Sequence, residues 1–438
     1  MRFVEFQPML ISSDEKSAMR TSPKFYILIG LFLLALGLRI GAAVLIDRHV
    51  TLAGRQFLIE GDANGYWELG QKLAVGQEYS IFTPPRQVHR TPGFPLLLAA
   101  SIRLWGDSVF AASLVMAFVG AACCWLTWKL ARQVATERVA LWALLIVAVS
   151  PLQIGSNVQI LSETWFSFWL LLCLIAMSPL VSSSIQDGRS QALSSLVTGL
   201  LTGLLTGLTV LVRPGWILWP WFSSAIVFVF GGQSMKRKIA IGLLLFAGCY
   251  LALLPWAIRN HNVTGHWIFT SLWSGPSLYD GLHSKATGAS DMEFFDQENV
   301  LSTMSEFDMN AHYKQRAFEF AISNPVRTAE LAIIKAGRYL SPTLNATGFS
   351  GGPFSLFCLA WYAVFWALVG YGAIELRKDR GILLLLTAPF LQFLLVHMVF
   401  VGSIRYRLPV EFPLSVIAAK GFVGLQRKFV SGKGVRNQ

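Results

Sequence analysis

Phe25-Tyr26-Ile27-Leu28-Ile29-Gly30-Leu31-Phe32-Leu33-Leu34-Ala35-Leu36-Gly37-Leu38-Arg39-Ile40-Gly41-Ala42-Ala43-Val44-Leu45-Ile46 is an apolar run of 22 residues with a single charge, Arg39. A helix that crosses about 30 Å of hydrocarbon needs roughly 20 such residues, so the run reads as a membrane span. It follows a polar leader ending at Lys24, is too long for a signal-peptide core and has no small-residue cleavage site behind it. A retained anchor is therefore expected. Nine further runs satisfy the same criterion, at 107–128, 139–157, 160–181, 193–212, 215–232, 239–258, 353–374, 381–401 and 409–425. The expected fold is an all-α polytopic membrane protein with about ten transmembrane helices. Composition agrees. The 438 residues are 54% hydrophobic and 14% charged, with a mean hydropathy of +0.53, whereas soluble domains carry about a quarter charged residues.

The net charge of +12 does not point to nucleic acid, because the basic residues sit in short loops between apolar runs. Lys16, Arg20 and Lys24 precede the first span. Lys129, Arg132 and Arg138 follow the second, Lys236, Arg237 and Lys238 the sixth, and Arg377, Lys378 and Arg380 the eighth. Arg427, Lys428, Lys433 and Arg436 close the chain. Cytoplasmic loops are the ones enriched in Lys and Arg. Placing all these clusters in the cytoplasm is consistent with ten crossings and both termini inside. The expected organisation is a cytoplasmic leader (1–24), a transmembrane bundle (25–258) with a first outer loop (47–106), a second outer loop (259–352), C-terminal spans (353–425) and a cytoplasmic tail (426–438).

Within the outer pieces, 63–75 reads as a short helix and 94–105 as an interfacial or re-entrant one. Stretches 308–322 and 325–340 read as juxtamembrane helices, the second opened by Asn324 as cap and Pro325 at the first helical position. Met309, Tyr313, Ala317 and Phe320 form an apolar stripe on the first, expected to lie on the membrane surface. Thr198-Gly199, Thr202-Gly203 and Thr206-Gly207 repeat at spacing four, which lets helices approach closely. The five cysteines all lie in apolar segments without metal-ligand spacing, so neither a disulfide framework nor a zinc site is indicated. No phosphate-binding loop, dinucleotide fingerprint or HExxH motif occurs. Asn262-Val263-Thr264 and Asn345-Ala346-Thr347 match the glycan acceptor pattern, a short motif that is common by chance.

Four charged motifs fall on the outer side by this count: Asp62 in Gly61-Asp62-Ala63-Asn64-Gly65-Tyr66, Glu163 after Ser162, Arg213-Pro214, and Arg405-Tyr406-Arg407-Leu408-Pro409. Each also has an ordinary reading. Asp62 stands where an N-cap would, or serves as a general base or as a carboxylate that orients a metal or substrate. Glu163 suits the first turn of a helix through the dipole alone, or lines a hydrated cleft with Asn157 and Gln159. Arg213 caps carbonyls or snorkels to headgroups. Three arginines in tight outer turns run against the positive-inside tendency, so an anion is expected to compensate them. Guanidinium matches phosphate oxygens in a bidentate manner. His89, Arg90, Arg259 and His397 are further candidates, His397 because ionisable groups inside spans are costly.

Taken in order, Gly61-Asp62-Ala63-Asn64-Gly65-Tyr66, Leu73-Ala74-Val75-Gly76 and Arg90-Thr91-Pro92-Gly93-Phe94-Pro95-Leu96-Leu97-Leu98 resemble a known superfamily. So do Ser162-Glu163, Leu211-Val212-Arg213-Pro214, Pro255-Trp256-Ala257-Ile258-Arg259-Asn260 with Thr264-Gly265, His397, Arg405-Tyr406-Arg407-Leu408-Pro409 and Pro413. The pattern is similar to that of the polytopic GT-C glycosyltransferases, in particular dolichyl-phosphate-mannose protein mannosyltransferases and the aminoarabinose transferases acting on lipid A. The resemblance covers nearly the whole chain and implies a polyprenyl-phosphate-linked sugar donor and transfer with inversion. Asp62 matches the family's catalytic base and Glu163 its second acidic position. Arg213, Arg405 and Arg90 fall where arginines meet the donor phosphate, with Arg259, His397, Tyr406 and Arg407 as further substrate-binding candidates. The large luminal β-trefoil insertion of the eukaryotic mannosyltransferases is missing. The resemblance therefore leaves open the sugar, a lipid, glycan or protein acceptor, and the help of a divalent cation. A bacterial inner membrane with the site facing the periplasm or exterior is the expected setting. A transporter or flippase of lipid-linked saccharides is the rival class, and ionisable groups near the bilayer midplane would mark it. Cysteine-accessibility labelling is expected to place positions 62 and 405 in the same compartment; opposite compartments would rule out a shared site.

Overall fold

The computed structural model describes residues 23–181, 189–343 and 352–435. Most of the leader, with Lys16 and Arg20, lies outside the described residues, as do Arg436 and Asn345-Ala346-Thr347. Among the described residues the regular structure is helical, apart from one isolated bridge between Ile81 and Arg86. The chain opens with α1 (Pro23–Leu52), the shorter helices α2 (Asp62–Ala74) and α3 (Gly93–Trp105), and α4 (Val109–Val134). Next come α5 (Glu137–Ala148), α6 (Pro151–Ser156), α7 (Glu163–Val181), α8 (Arg189–Val210), α9 (Trp219–Phe230) and α10 (Met235–Thr264). Then follow α11 (Ser274–Gly281), α12 (Glu293–Glu298), α13 (Val300–Thr303), α14 (Glu306–Ser323) and α15 (Pro325–Leu340). Finally α16 (Gly352–Glu375), α17 (Arg380–Val399) and α18 (Leu408–Val435) complete the bundle.

Eight of these helices, α1, α4, α7, α8, α10, α16, α17 and α18, are long and apolar enough to cross a membrane. The protein is an integral membrane protein. Two expected spans take a different form. The third, 139–157, is split into α5 and α6, and the sixth, 215–232, is a 3-10 turn (Pro214–Leu218) leading into the short α9. Proline explains the first break. Pro151 has no N–H, so the Val147 carbonyl loses its helical donor. Arg39 supplies the missing donors from mid-α1: Nη2 to Val147 O (3.1 Å), Nη1 to Ala148 O (3.3 Å) and Nε to Asn157 Oδ1 (2.9 Å). The charge flagged inside the first span therefore serves a helix break, fully buried.

Both broken segments still run the depth of their neighbours. Arg138 bonds Gln426 (2.7 Å) at one end of α5–α6, and Gln153 bonds the Leu408 carbonyl (2.6 Å) at the other, so the pair lies antiparallel to α18. Likewise Arg213 meets Glu163 and Gln233 meets the Leu180 carbonyl, which sets 213–233 alongside α7. Gly381 packs on Val181 and Phe230, and Gly424 on Glu375. The loops carrying Arg138, Lys236 and Arg380 thus gather at one end of the bundle, opposite the end where Glu163 lies.

The Thr-Gly repeat on α8 is a packing face, as its spacing implies. A Cβ on Gly203 would stand 2.5 Å from Leu245 O of α10, and one on Gly207 2.4 Å from Cys249 O. Thr202, Thr206 and Thr209 return their hydroxyls to carbonyls four residues back, so the close approach strands no polar group. In region 259–343, Met309, Tyr313 and Ala317 are buried against other residues of the chain and Phe320 is half-buried, so the stripe expected on the membrane surface packs within the protein. Met309 and Tyr313 form a small core with Phe295 and Val300, Ala317 and Phe320 pack with Leu278 and Leu282, and α15 packs across the end of α17.

Arg39→Leu is expected to lower the thermal midpoint of the detergent-solubilised protein markedly. Each carbonyl left unpaired costs about 1–3 kcal/mol. Gly207→Leu should do the same by forcing α8 from α10, because the colliding atom is backbone. Midpoints equal to wild type in both would contradict these packing assignments.

Candidate active site

Gly61 opens α2 with φ 80, a conformation that favours glycine. Its N–H is satisfied by Asn64 Oδ1 at 2.9 Å. The capping work therefore falls to this pair, and the N-cap reading of Asp62 is corrected. Asp62 is the first helical residue, with a carboxylate that faces arginines. Arg90 Nη2 lies 2.6 Å from Oδ1 and Arg405 Nη1 2.9 Å from Oδ2. Arg90 spreads over the Tyr66 ring, 4.4 Å from its centroid, and the Tyr66 hydroxyl reaches Ser162 Oγ at 3.4 Å.

Glu163 starts α7, where an acid complements the helix dipole. Its Oε1 accepts from Arg405 Nε and lies 2.7 Å from Arg213 Nη1. Its Oε2 is buried without a protein partner. Arg405 sits in a single 3-10 turn (Ile404–Tyr406) whose start is tied by Ser403 Oγ accepting the Arg405 N–H. One guanidinium thus joins both carboxylates across 343 residues of sequence. Tyr406 lies beneath, with the Arg213 and Arg405 guanidinium carbons 5.1 and 5.7 Å from its ring. His397 stacks on Tyr406 at 4.2 Å and turns Nδ1 toward Val401 O at 2.9 Å.

Five charged side chains from four separate segments meet here, three guanidiniums against two carboxylates. Burial alone would raise the Asp62 carboxyl. The Arg90 and Arg405 guanidiniums overcome it and hold the group far below the usual carboxylate range. Burial and the Arg90 charge keep neighbouring His89 well below the usual imidazole range, hence neutral.

Asp62, Glu163, Arg90, Arg213, Arg405, Tyr406 and His397 converge; Arg407 and Arg259 do not. Arg407 is fully buried, bonded to Glu411 (2.8 Å) and to the carbonyls of Tyr339 and Ser341. Arg259 ties down the loop between α2 and α3 through the carbonyls of Gln87 (2.6 Å) and Tyr79 (3.2 Å). Glu306 was not singled out from the sequence, yet its carboxylate accepts the N–H groups of Gln87 and Val88, three and two residues before Arg90. No local motif marks it. The Arg407–Glu411 pair, by contrast, is legible as an i, i+4 spacing.

The donor set does not fit a divalent cation. Both carboxylates are engaged by guanidiniums, the cluster carries an excess positive charge, and the described residues contain no group of three His, Cys, Asp or Glu able to hold a metal. The arrangement suits an anion held by arginine, with a carboxylate beside it.

No family model and no curated protein matches the chain. Solved structures do. The crystal structure of the Archaeoglobus fulgidus oligosaccharyltransferase tethered with an acceptor peptide matches with a TM-score of 0.60 at 16% identity, covering 94% of this chain and 50% of that one. The archaeal oligosaccharyltransferase AglB from the same organism, in complex with an inhibitory peptide and a dolichol-phosphate, gives 0.57 at 14%, covering 96% and 52%. ArnT from Cupriavidus metallidurans bound to undecaprenyl phosphate gives 0.41 at 13%, covering 90% and 77%, a looser overlay on which nothing rests. The fold is that of these oligosaccharyltransferase structures. The chain spans about half the length of the oligosaccharyltransferases it matches.

A carboxyl with a lowered folded pKa contributes stability that is present above its unfolded value, about 3.9, and is lost as pH falls toward the folded one. The thermal midpoint is therefore expected to fall on acidification below about pH 4, less steeply in Asp62→Asn. Parallel curves for the two proteins would show that Asp62 is not held ionised by its arginines.

Proposed function

We propose that the protein is a membrane glycosyltransferase that moves a monosaccharide from a polyprenyl-phosphate donor to an extracytoplasmic acceptor. The observation that carries this reading is the Arg90–Asp62–Arg405–Glu163–Arg213 cluster at one end of a GT-C-like bundle. A donor whose prenyl chain stays in the bilayer presents a phosphate ester at headgroup depth, which is where this end of the bundle would meet it. Arginines there bind the phosphate and stabilise the charge that grows on it as the glycosidic bond breaks.

In the proposed reaction an acceptor hydroxyl oxygen attacks the anomeric carbon as the carbon–oxygen bond to phosphate breaks on the opposite face. The configuration inverts, the electron pair leaves with the phosphate, and the hydroxyl proton passes to Asp62. Phosphate departs without a proton, so one base suffices; such a base contributes typically about 10²–10⁴ in rate. In the free protein Asp62 is a weak base, because two arginines hold its charge. A donor phosphate competing for Arg90 and Arg405 would free the carboxylate at the moment it is needed. Glu163 acts as the anchor that orients Arg213 and Arg405.

Two observations weigh against the transporter reading. Arg39, the charge in mid-span, is consumed by a helix break, and His397 stacks on Tyr406 beside the cluster. The proposed acceptor class is a lipid, glycan or protein hydroxyl, and the proposed setting is a bacterial inner membrane with the cluster on the outer face.

With membranes and a labelled polyprenyl-phosphate sugar, Asp62→Asn is expected to lower transfer by about 10²-fold or more while insertion survives. Arg405→Ala and Arg213→Ala should chiefly raise the donor concentration needed. Turnover near wild type in Asp62→Asn would remove the base assignment. Failure of the wild-type protein to release label from any such donor would remove the function.

A further inference from the structure

We infer that α15 positions Arg405, with Lys335 and Arg338 holding the chain that leads into the 3-10 turn and the end of the same helix holding the chain that leaves it. Residues 400–403 belong to no helix, so their placement must come from what they touch. Lys335 Nζ donates to the Val399 carbonyl at 2.7 Å, one of the carbonyls that the C-terminus of α17 leaves without a helical partner. One turn further along α15, Arg338 Nε donates to Gly402 O at 3.0 Å. Gly402 also gives its N–H to Gly288 O at 3.0 Å. It lies so close to α15 that a Cβ would stand 2.3 Å from Lys335 O.

Beyond the turn, Arg407 Nη1 donates to the carbonyls of Tyr339 (2.9 Å) and Ser341 (2.8 Å) at the C-terminal end of α15. Residues 335–341 therefore grip the chain on both sides of Arg405. The burial of Lys335 makes the same point. Its side chain is wholly inside, where a cation is costly unless something uses it. The bond it makes is charge-assisted and aimed at backbone, with Asp280 of α11 as an offsetting charge. A structural filler would be apolar. A fixed donor is what a guanidinium that must bridge two carboxylates requires of its support.

The link from this clamp to phosphate binding rests on the proposed function; the clamp itself does not. The test uses the full chain in lipid nanodiscs, with Lys335→Met and Arg338→Gln. Arg405 is modified by phenylglyoxal and followed by mass spectrometry, and undecaprenyl phosphate is titrated as the ligand probe. Loss of a charge-assisted bond is expected to speed Arg405 modification and weaken undecaprenyl phosphate binding, each by about tenfold. Arg338→Lys, which keeps a donor for Gly402, should restore most of both. Unchanged modification of Arg405 in Arg338→Gln and in folded Lys335→Met overturns the inference. If Lys335→Met does not fold, Arg338→Gln alone decides. Faster modification with unchanged lipid affinity would uphold the clamp and remove Arg405 from the donor pocket. Wild-type protein that does not bind the lipid would count against the proposed function, while the modification rates still decide the clamp.

Discussion

A single guanidinium, that of Arg405, bridges Asp62 of α2 and Glu163 of α7, and the architecture around the site can be read as the means of holding it there. Two carboxylates and three arginines in a partly dry setting are stable only as a connected network. Removing one member leaves its partners unpaired, at a cost of about 3–5 kcal/mol for a buried pair. The network joins α2, α7, the turn after α8 and the turn before α18, segments that share no sequence proximity. Its members therefore report on one another. A displacement of the Arg405 turn would be felt at once by both acids.

The sequence made the membrane class and most of the helices plain, because an apolar run of span length has few alternatives. It also singled out Asp62, Glu163, Arg90, Arg213, Arg405, Tyr406 and His397, each through a charge or ring in an otherwise apolar or turn context, and these side chains converge in space. It failed where proximity in the chain was taken for proximity in function. Arg405 and Arg407 are two residues apart, yet a turn of 3-10 helix sends one to the acids and the other into the core with Glu411. Arg259 ended in the support of a loop for a similar reason. The interruptions within 139–157 and at the start of 215–232 were not read, because hydropathy does not register where a helical ladder breaks. Glu306 and Lys335 carry no local signature; their importance comes from what lies opposite them in space.

The break at Pro151 bears on how the rival classes separate. Discontinuous helices with a charge beside them often mark transport sites, since freed carbonyls can coordinate an ion. Here Arg39 already occupies the freed carbonyls of Val147 and Ala148, and Gly120 lets it reach them: a Cβ there would stand 2.8 Å from Arg39 Nε. The interior polar site is thus closed on itself. The cluster that keeps an unmet hydrogen-bonding atom, Glu163 Oε2, lies at the end of the bundle.

The ratio of three guanidiniums to two carboxylates has a consequence for turnover on the proposed reaction. A sugar-phosphate-prenyl diester brings one negative charge and makes the pocket neutral. Cleavage converts that diester into a monoester, which at neutral pH approaches two negative charges. Once Asp62 has passed its proton to water, the spent carrier sits in a chamber with too much negative charge. Repulsion then favours its departure, so the same ion count that attracts the loaded lipid would eject the empty one.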